Sequence, residues 1–160
     1  AAPGVEVVQV ETTEEMLEAS IAAGDGADIF IGAAAVVDFK PETIATQKIK
    51  RAGSESMELK LVSNPDIIAT IANSDARPKL VVGFAAETND VTAYARDKLQ
   101  RKNLDFIFAN DVSDNAIGFN SDSNAGTLIG ADSEIAMAMS SKRVLAETII
   151  AELAQHLAEK

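Results

Sequence analysis

The stretch from Gly32 to Arg51, GAAAVVDFKPETIATQKIKR, passes within twenty residues from minimal side chains through one early carboxylate, Asp38, to three cations, Lys48, Lys50 and Arg51. Gly32, Ala33 and Ala34 at a strand end would let a flat base or sugar approach the backbone and use its N–H and C=O groups. A second basic island, Arg96, Lys98, Arg101 and Lys102, places Lys98 and Lys102 four residues apart on one helical face, a spacing suited to adjacent phosphates. These two islands hold seven of the 14 Lys and Arg in a chain of net charge −11, which points to a small anion as ligand. Pro65, Asp66, Ile67 and Ile68 open a helix behind Asn64, and their free N–H groups favour negative charge. Asp66 opposes an anion there unless it binds a hydroxyl or a cation. Phe84, in GFAAETND, repeats the strand-then-small-residue design and could stack on a base.

Each of these residues has a plainer role as well. Small residues at a strand end also admit a closely packed helix, and Asp38 could cap a turn. Asn64 and Asp66 are good helix-start residues in any protein, Phe84 could fill the core, and each basic island could be a solvated surface. The segment Gly118 to Asn124, GFNSDSN, is either a substrate loop or a polar turn, with the turn favoured. With no cysteine and one histidine, His156, thiol chemistry and multi-histidine metal sites are excluded. No Ser-His-Asp set or Walker loop is found, which shifts weight toward catalysis by positioning and charge neutralisation, as in nucleotidyl transfer.

The elements that must position these groups follow from pattern. Val5, Val7, Val8 and Val10 read as a strand, and Thr12 with Glu15 as a capping box ahead of Met16, Leu17 and Ile21. ADIFIGAAAVV reads as a strand buried on both faces. Leu59 to Val62 is a short strand, NPDIIATIA a helix capped by Asn64 with Pro65 first, and KLVVGF a buried strand. AYARDKLQRK is helical, DFIFAN a strand, TLIGADSEIAMA a hairpin through Gly130 and Asp132, and Ser141 caps a last helix. Its stripe of Leu145, Ile149, Leu153 and Leu157 faces the core.

Strands alternating with helices predict an α/β fold, a Rossmann-like three-layer sandwich with a mostly parallel central sheet and a C-terminal hairpin. The ligand is expected beyond the carboxyl ends of the strands, in the loops after Ile31, Phe84 and Phe108. The 160 residues, 47% hydrophobic, form a single domain, 1–160. The chain opens on AAPG without a glycine-rich strand-turn-helix, so a first unit upstream is expected. The acidic balance argues against nucleic acid, and the lack of a long apolar run or leader predicts no membrane span and a cytoplasmic protein.

Together AAAVVDFKPETIATQKIKR, LVSNPDII, VVGFAAETND, KLQRKNLDFIFAND and GFNSDSN resemble the phosphopantothenoylcysteine synthetase family of coenzyme A biosynthesis, over nearly the whole chain and in order. The resemblance implies a Rossmann-like homodimer that is usually the C-terminal half of a bifunctional bacterial protein. It implies CTP as co-substrate with Mg²⁺, activation of 4′-phosphopantothenate as an acyl-cytidylate with release of pyrophosphate, and attack by cysteine to give 4′-phosphopantothenoyl-cysteine and CMP. FMN would belong to a separate decarboxylase half. Nucleotide contacts are implied for Gly32, Ala33, Ala34, Asp38, Lys48, Pro65, Asp66, Ile67, Ile68, Phe84, Lys98 and Lys102, with Lys48 weighing most on the chemical step and Lys98 and Lys102 closing as a mobile cover. The family's glycine-rich first turn, its SSG segment and the asparagine before it have no counterpart here, which leaves open a non-catalytic nucleotide-binding or dimerisation module. A dehydrogenase is disfavoured because no G-x-G-x-x-G follows a strand.

Overall fold

Thr12 accepts the Glu15 N–H at 3.2 Å, and the Glu15 carboxylate accepts the Thr12 N–H at 3.0 Å, so two donors left over at a helix start are satisfied reciprocally. That box begins the ordered elements of the computed structural model, which describes residues 3–50, 56–87, 90–111 and 122–159. In chain order they are α1 (Thr13–Gly24), β1 (Ile29–Gly32), β2 (Phe39–Pro41), β3 (Leu61–Ser63), α2 (Ile67–Ala72), β4 (Leu80–Glu87), α3 (Val91–Arg101), β5 (Phe106–Asp111), β6 (Ser123–Gly130), β7 (Glu134–Ser141) and α4 (Lys142–Ala158).

The central sheet has the order β1-β4-β5-β6-β7. β1, β4 and β5 run parallel, and β6 and β7 add an antiparallel hairpin. Period-two alternation divides the core. Val81, Ala85, Ile107, Ala109 and Ile129 meet Ile67 and Ile71 of α2 and Ala95 and Leu99 of α3, with Met16 and Leu17 of α1 packed alongside. Leu80, Val82, Phe106, Phe108, Leu128 and Met137 meet Leu145, Ile149 and Leu153 of α4 on the other side. The result is the expected mixed α/β sandwich, with the mostly parallel sheet covered on both sides. The hairpin, the Ser141 cap (accepting the Val144 N–H at 3.3 Å) and the α4 stripe are found as predicted, with Leu157 partly buried. The ring of His156 packs edge-on against Phe106.

Four expectations change. Residues Val5 to Val10 form no strand, and their valines are exposed, because β propensity supplies side chains but no hydrogen-bonding neighbour. The run ADIFIGAAAVV stays in the sheet as far as Gly32 and then leaves it, and β1 is only half-buried because among the described residues it pairs on one side alone. The strand near Leu59 is β3, which joins β2 in a separate antiparallel pair. The α2 cap is Asp66, not Asn64, since Asp66 keeps extended backbone angles and its carboxylate accepts the Ala69 N–H at 3.2 Å. Arg51 and most of GFNSDSN lie outside the described residues.

The β2–β3 pair carries its apolar side outward. Residues facing one another across strands share a side, so the register Phe39↔Ser63 and Pro41↔Leu61 puts Phe39, Pro41 and Leu61 on one exposed face. The opposite face is charged: Lys40 pairs with Glu14 of α1, and Lys60 with Glu42 at 2.5 Å. Among the described residues no helix is long and apolar enough to cross a membrane.

Candidate functional site

β1 and β4 pair in parallel with Gly32 beside Gly83. A Cβ on Gly32 would stand 2.9 Å from Ile68 Cδ1, and one on Gly83 would stand 2.9 Å from Leu104 Cδ1 and 3.4 Å from Ile68 Cδ1. Two adjacent strands therefore lack side chains where Ile68, on the first turn of α2, settles over them. The plainer role of a small residue at this strand end, admitting a close helix, is thus realised at Gly32. The same approach brings the start of α2 against the loop that leaves β1.

A cavity of about 320 Å³ opens there, beyond the carboxyl end of β1 and beside β4. Its size falls within the range of roughly 300–1,000 Å³ common for small-molecule sites. Its lining includes Gly32, Ala33, Ala34, Asp38, Pro65, Asp66, Ile67, Ile68, Phe84, Lys98 and Lys102, eleven of the twelve candidate residues. The twelfth, Lys48, lies on the exposed segment after β2 and is not part of the lining. Sequence reasoning missed Met16 and Ser20 of α1, Asn64 and Leu104 as lining residues. Met16 and Ser20 share one helix face by their spacing of four, but an apolar and a small side chain carry no chemical signal in the sequence.

Charge within the cavity is arranged unevenly. Asp66 Oδ2 lies 2.8 Å from Lys102 Nζ, so this carboxylate meets a cation as well as capping α2. Partial burial pushes the Asp66 pKa up, but the Lys102 hydrogen bond, the Ala69 N–H and the positive charges of Lys102 and Arg101 outweigh it and hold the group below its ordinary value. Lys98 also lines the cavity, one helical turn before Lys102. Among the described residues the carboxylate of Asp38 makes no hydrogen bond or ion pair. Phe84 is 39% exposed, with its ring tilted against buried Phe108 at 5.4 Å between centroids.

No group of three or more metal-ligating side chains occurs among the described residues. Mg²⁺ bound with a nucleotide needs less, one or two carboxylates with phosphate oxygens and waters, and the open carboxylate of Asp38 at the cavity fits that requirement. A cavity with an apolar floor, an open carboxylate and two lysines one turn apart can take a flat polar group at one end and phosphates at the other.

The profile of the DNA/pantothenate metabolism flavoprotein C-terminal domain matches residues 1–157. The chain belongs to this family. Curated relatives of this flavoprotein C-terminal domain include the coenzyme A biosynthesis bifunctional protein CoaBC of Vibrio parahaemolyticus, 50% identical over 152 residues, which are 94% of this chain and 38% of that protein. The CoaBC of Escherichia coli is 46% identical over 161 residues, 99% of this chain and 39% of that protein. The chain thus spans about two-fifths of the length of these relatives. Among solved structures, a crystal structure of a CoaBC C-terminal domain superposes with a TM-score of 0.78 at 30% identity, covering 99% of this chain and 71% of that one. A Cab2 variant in complex with phosphopantothenate-cysteine, 17% identical, shares the fold with a TM-score of 0.69 over 95% of this chain and 52% of its own.

Proposed function

We propose that this domain is the phosphopantothenate–cysteine ligase of coenzyme A biosynthesis: it uses CTP to convert 4′-phosphopantothenate to an acyl-cytidylate, releasing pyrophosphate, and then joins cysteine to give 4′-phosphopantothenoyl-cysteine and CMP. The observation that carries the reading is the convergence of eleven family-implied residues, drawn from four separate stretches of chain, on one cavity. The naming of the CoaBC relatives supports the pathway, and the phosphopantothenate-cysteine held by the Cab2 variant supports the product.

The chain's own residues account for the chemistry as follows. A carboxylate attacking a triphosphate brings two anions together, and at about 4 Å such charges repel by roughly 4 kcal/mol at an effective dielectric of about 20. Lys98 and Lys102 offset that repulsion and the charge that leaves on pyrophosphate. Lys102 must then exchange Asp66 for a phosphate, which leaves Asp66 to a hydroxyl or a cation. Ala33 and Ala34 let the base or sugar lie against the backbone, and Asp38 meets the ribose or the bound metal. Mg²⁺ would supply further neutralisation of the triphosphate when bound beside Asp38.

The cytoplasm is the proposed compartment, and a CoaBC-like fusion to a flavin-dependent decarboxylase half is the proposed context. Two copies of the chain form the proposed assembly, supported by the outward apolar face of Phe39, Pro41 and Leu61: an isolated two-stranded pair is marginal in water, and an exposed apolar face gains by being covered.

One observation favours a second reading, a nucleotide-binding module without turnover: Lys48, the residue expected to weigh most on the chemical step, stands outside the cavity lining. Pyrophosphate release with CTP, Mg²⁺, 4′-phosphopantothenate and cysteine separates the two. Release that requires CTP, is not matched by ATP and falls in Lys48→Gln is the ligase outcome. CTP binding with no release, in this chain and in the full-length protein alike, is the module outcome.

A further inference from the structure

We propose that Asn64 is a positioning residue that holds Asp38 at the cavity for its contact with the nucleotide, an inference that rests on the reading of the site given above. Asn64 donates twice to the loop leaving β1: its backbone N–H to the Asp38 carbonyl at 2.8 Å, and its side-chain Nδ2 to the Val37 carbonyl at 2.8 Å. These bonds lie just past the last ladder pair of the small sheet, Phe39↔Ser63, where no strand hydrogen bonds hold the chain. Residues 35–38 are exposed and belong to no helix or strand. On its other side Asn64 runs through Pro65 into Asp66, which caps α2 and meets Lys102. One residue therefore joins the loop bearing Asp38 to Asp66 at the start of α2, which in turn meets Lys102 at the end of α3.

The side chain of Asn64 is an odd choice for stability alone. Its Oδ1 is buried and has no hydrogen-bond partner, the one such side-chain atom found among the described residues. Leaving a buried acceptor unpaired is unfavourable, and turning the amide over would bring Oδ1 against the Val37 carbonyl and lose the donor. Alanine would keep the backbone bond and remove the orphaned oxygen. What asparagine adds is the second bond, a constraint on the backbone of a loop whose Asp38 carboxylate has no hydrogen-bond or ion-pair partner among the described residues.

The test is a double-mutant cycle on the full-length protein, read as the CTP dissociation constant by calorimetry, with a melting temperature for every variant. Asn64→Ala is expected to weaken CTP binding roughly five- to tenfold and leave the melting temperature level or higher, since the orphaned oxygen goes. In an Asp38→Ala background the same substitution is expected to change CTP affinity less than twofold, because Asn64 acts through Asp38. Asn64→Asp, which sets a carboxylate against the Val37 carbonyl, is expected to bind CTP more weakly than Asn64→Ala. An equal loss in both backgrounds, or a loss that follows a fall in melting temperature, overturns the inference while leaving the nucleotide site standing. Failure of the unaltered protein to bind CTP overturns the reading of the site and this inference with it.

Discussion

The two ends of the parallel strands treat polar groups in opposite ways. At the amino ends of β4 and β5 Arg77 makes four hydrogen bonds: Nε donates to the Ala72 carbonyl, Nη1 to the Pro78 carbonyl, and Nη2 to the Asn103 carbonyl and to Asp105 Oδ2 at 2.6 Å. The same Asp105 oxygen accepts the Val81 N–H at 2.8 Å, so one arginine ties the ends of α2 and α3 to the starts of two strands. At the carboxyl end Ala33 and Ala34 contribute almost no side chain, Asp38 keeps an open carboxylate, and the lysines of α3 border a cavity. Satisfied polar groups make the first end a structural clamp. At the second end the open Asp38 carboxylate is a group that a ligand can use, which supports the binding site proposed above.

That contrast breaks or sharpens under substitution. The largest effect is expected at the closed end: Arg77→Ala leaves Asp105 partly buried without its cation and should cost about 2–4 kcal/mol in denaturant unfolding, with CTP affinity of the folded protein unchanged. The pair Lys98→Ala and Lys102→Ala should do the reverse, weakening CTP at least about tenfold in calorimetry while stability moves by less than about 1 kcal/mol. If the lysine variant unfolds as readily as Arg77→Ala, the division of labour between the two ends is wrong. Leu61→Asp places a charge on the outward face of the β2–β3 pair and should shift the protein to a monomer in sedimentation velocity without loss of the sandwich fold by circular dichroism. A wild-type protein that is already monomeric would remove the reason for that apolar face proposed here.

The smallest effect concerns acid. The Asp66 pKa lies below its ordinary value, so its contribution is present above the unfolded pKa of about 3.9 and is lost as pH falls through the lower folded value. Asp66→Asn keeps a side-chain oxygen to cap α2 but lacks that ionisation. Its stability should sit slightly below the wild type at neutral pH, and the gap should close as the medium is acidified below that window. A gap that persists at low pH would assign Asp66 a role in capping alone.

Several features were legible because their causes are local. The Thr12–Glu15 box, the hairpin of β6 and β7, the Ser141 cap and the stripe of Leu145, Ile149 and Leu153 each depend on residues a few positions apart. The candidate residues were legible as a set through family resemblance, and the cavity gathers all but Lys48. Less was readable where two distant stretches compete for one role. Asn64 and Asp66 are equally good caps by type; the structure gives the cap to Asp66, whose carboxylate accepts the Ala69 N–H, while the Asn64 side chain turns its Nδ2 to the Val37 carbonyl, 27 positions away. Val5 to Val10 carried strand propensity, yet a strand also needs a neighbour, which no local pattern supplies.

By itself, then, the sequence determined the helices α1 to α4 and the central-sheet strands in their order, though not β2 or the lack of a strand at Val5 to Val10, together with the two apolar sides of the sheet, the caps that start α1 and α4, and the basic island of α3, because these rest on periodicity and short-range hydrogen bonding. The tertiary structure decided that Gly32 and Gly83 lie side by side under Ile68, that Asp66 meets Lys102, and that Asn64 joins the loop of Asp38 to α2. Each of those contacts links segments separated by tens of residues. Their geometry comes from the parallel register of β1 with β4 and from how closely α2 packs on it, neither of which any single stretch of the chain encodes.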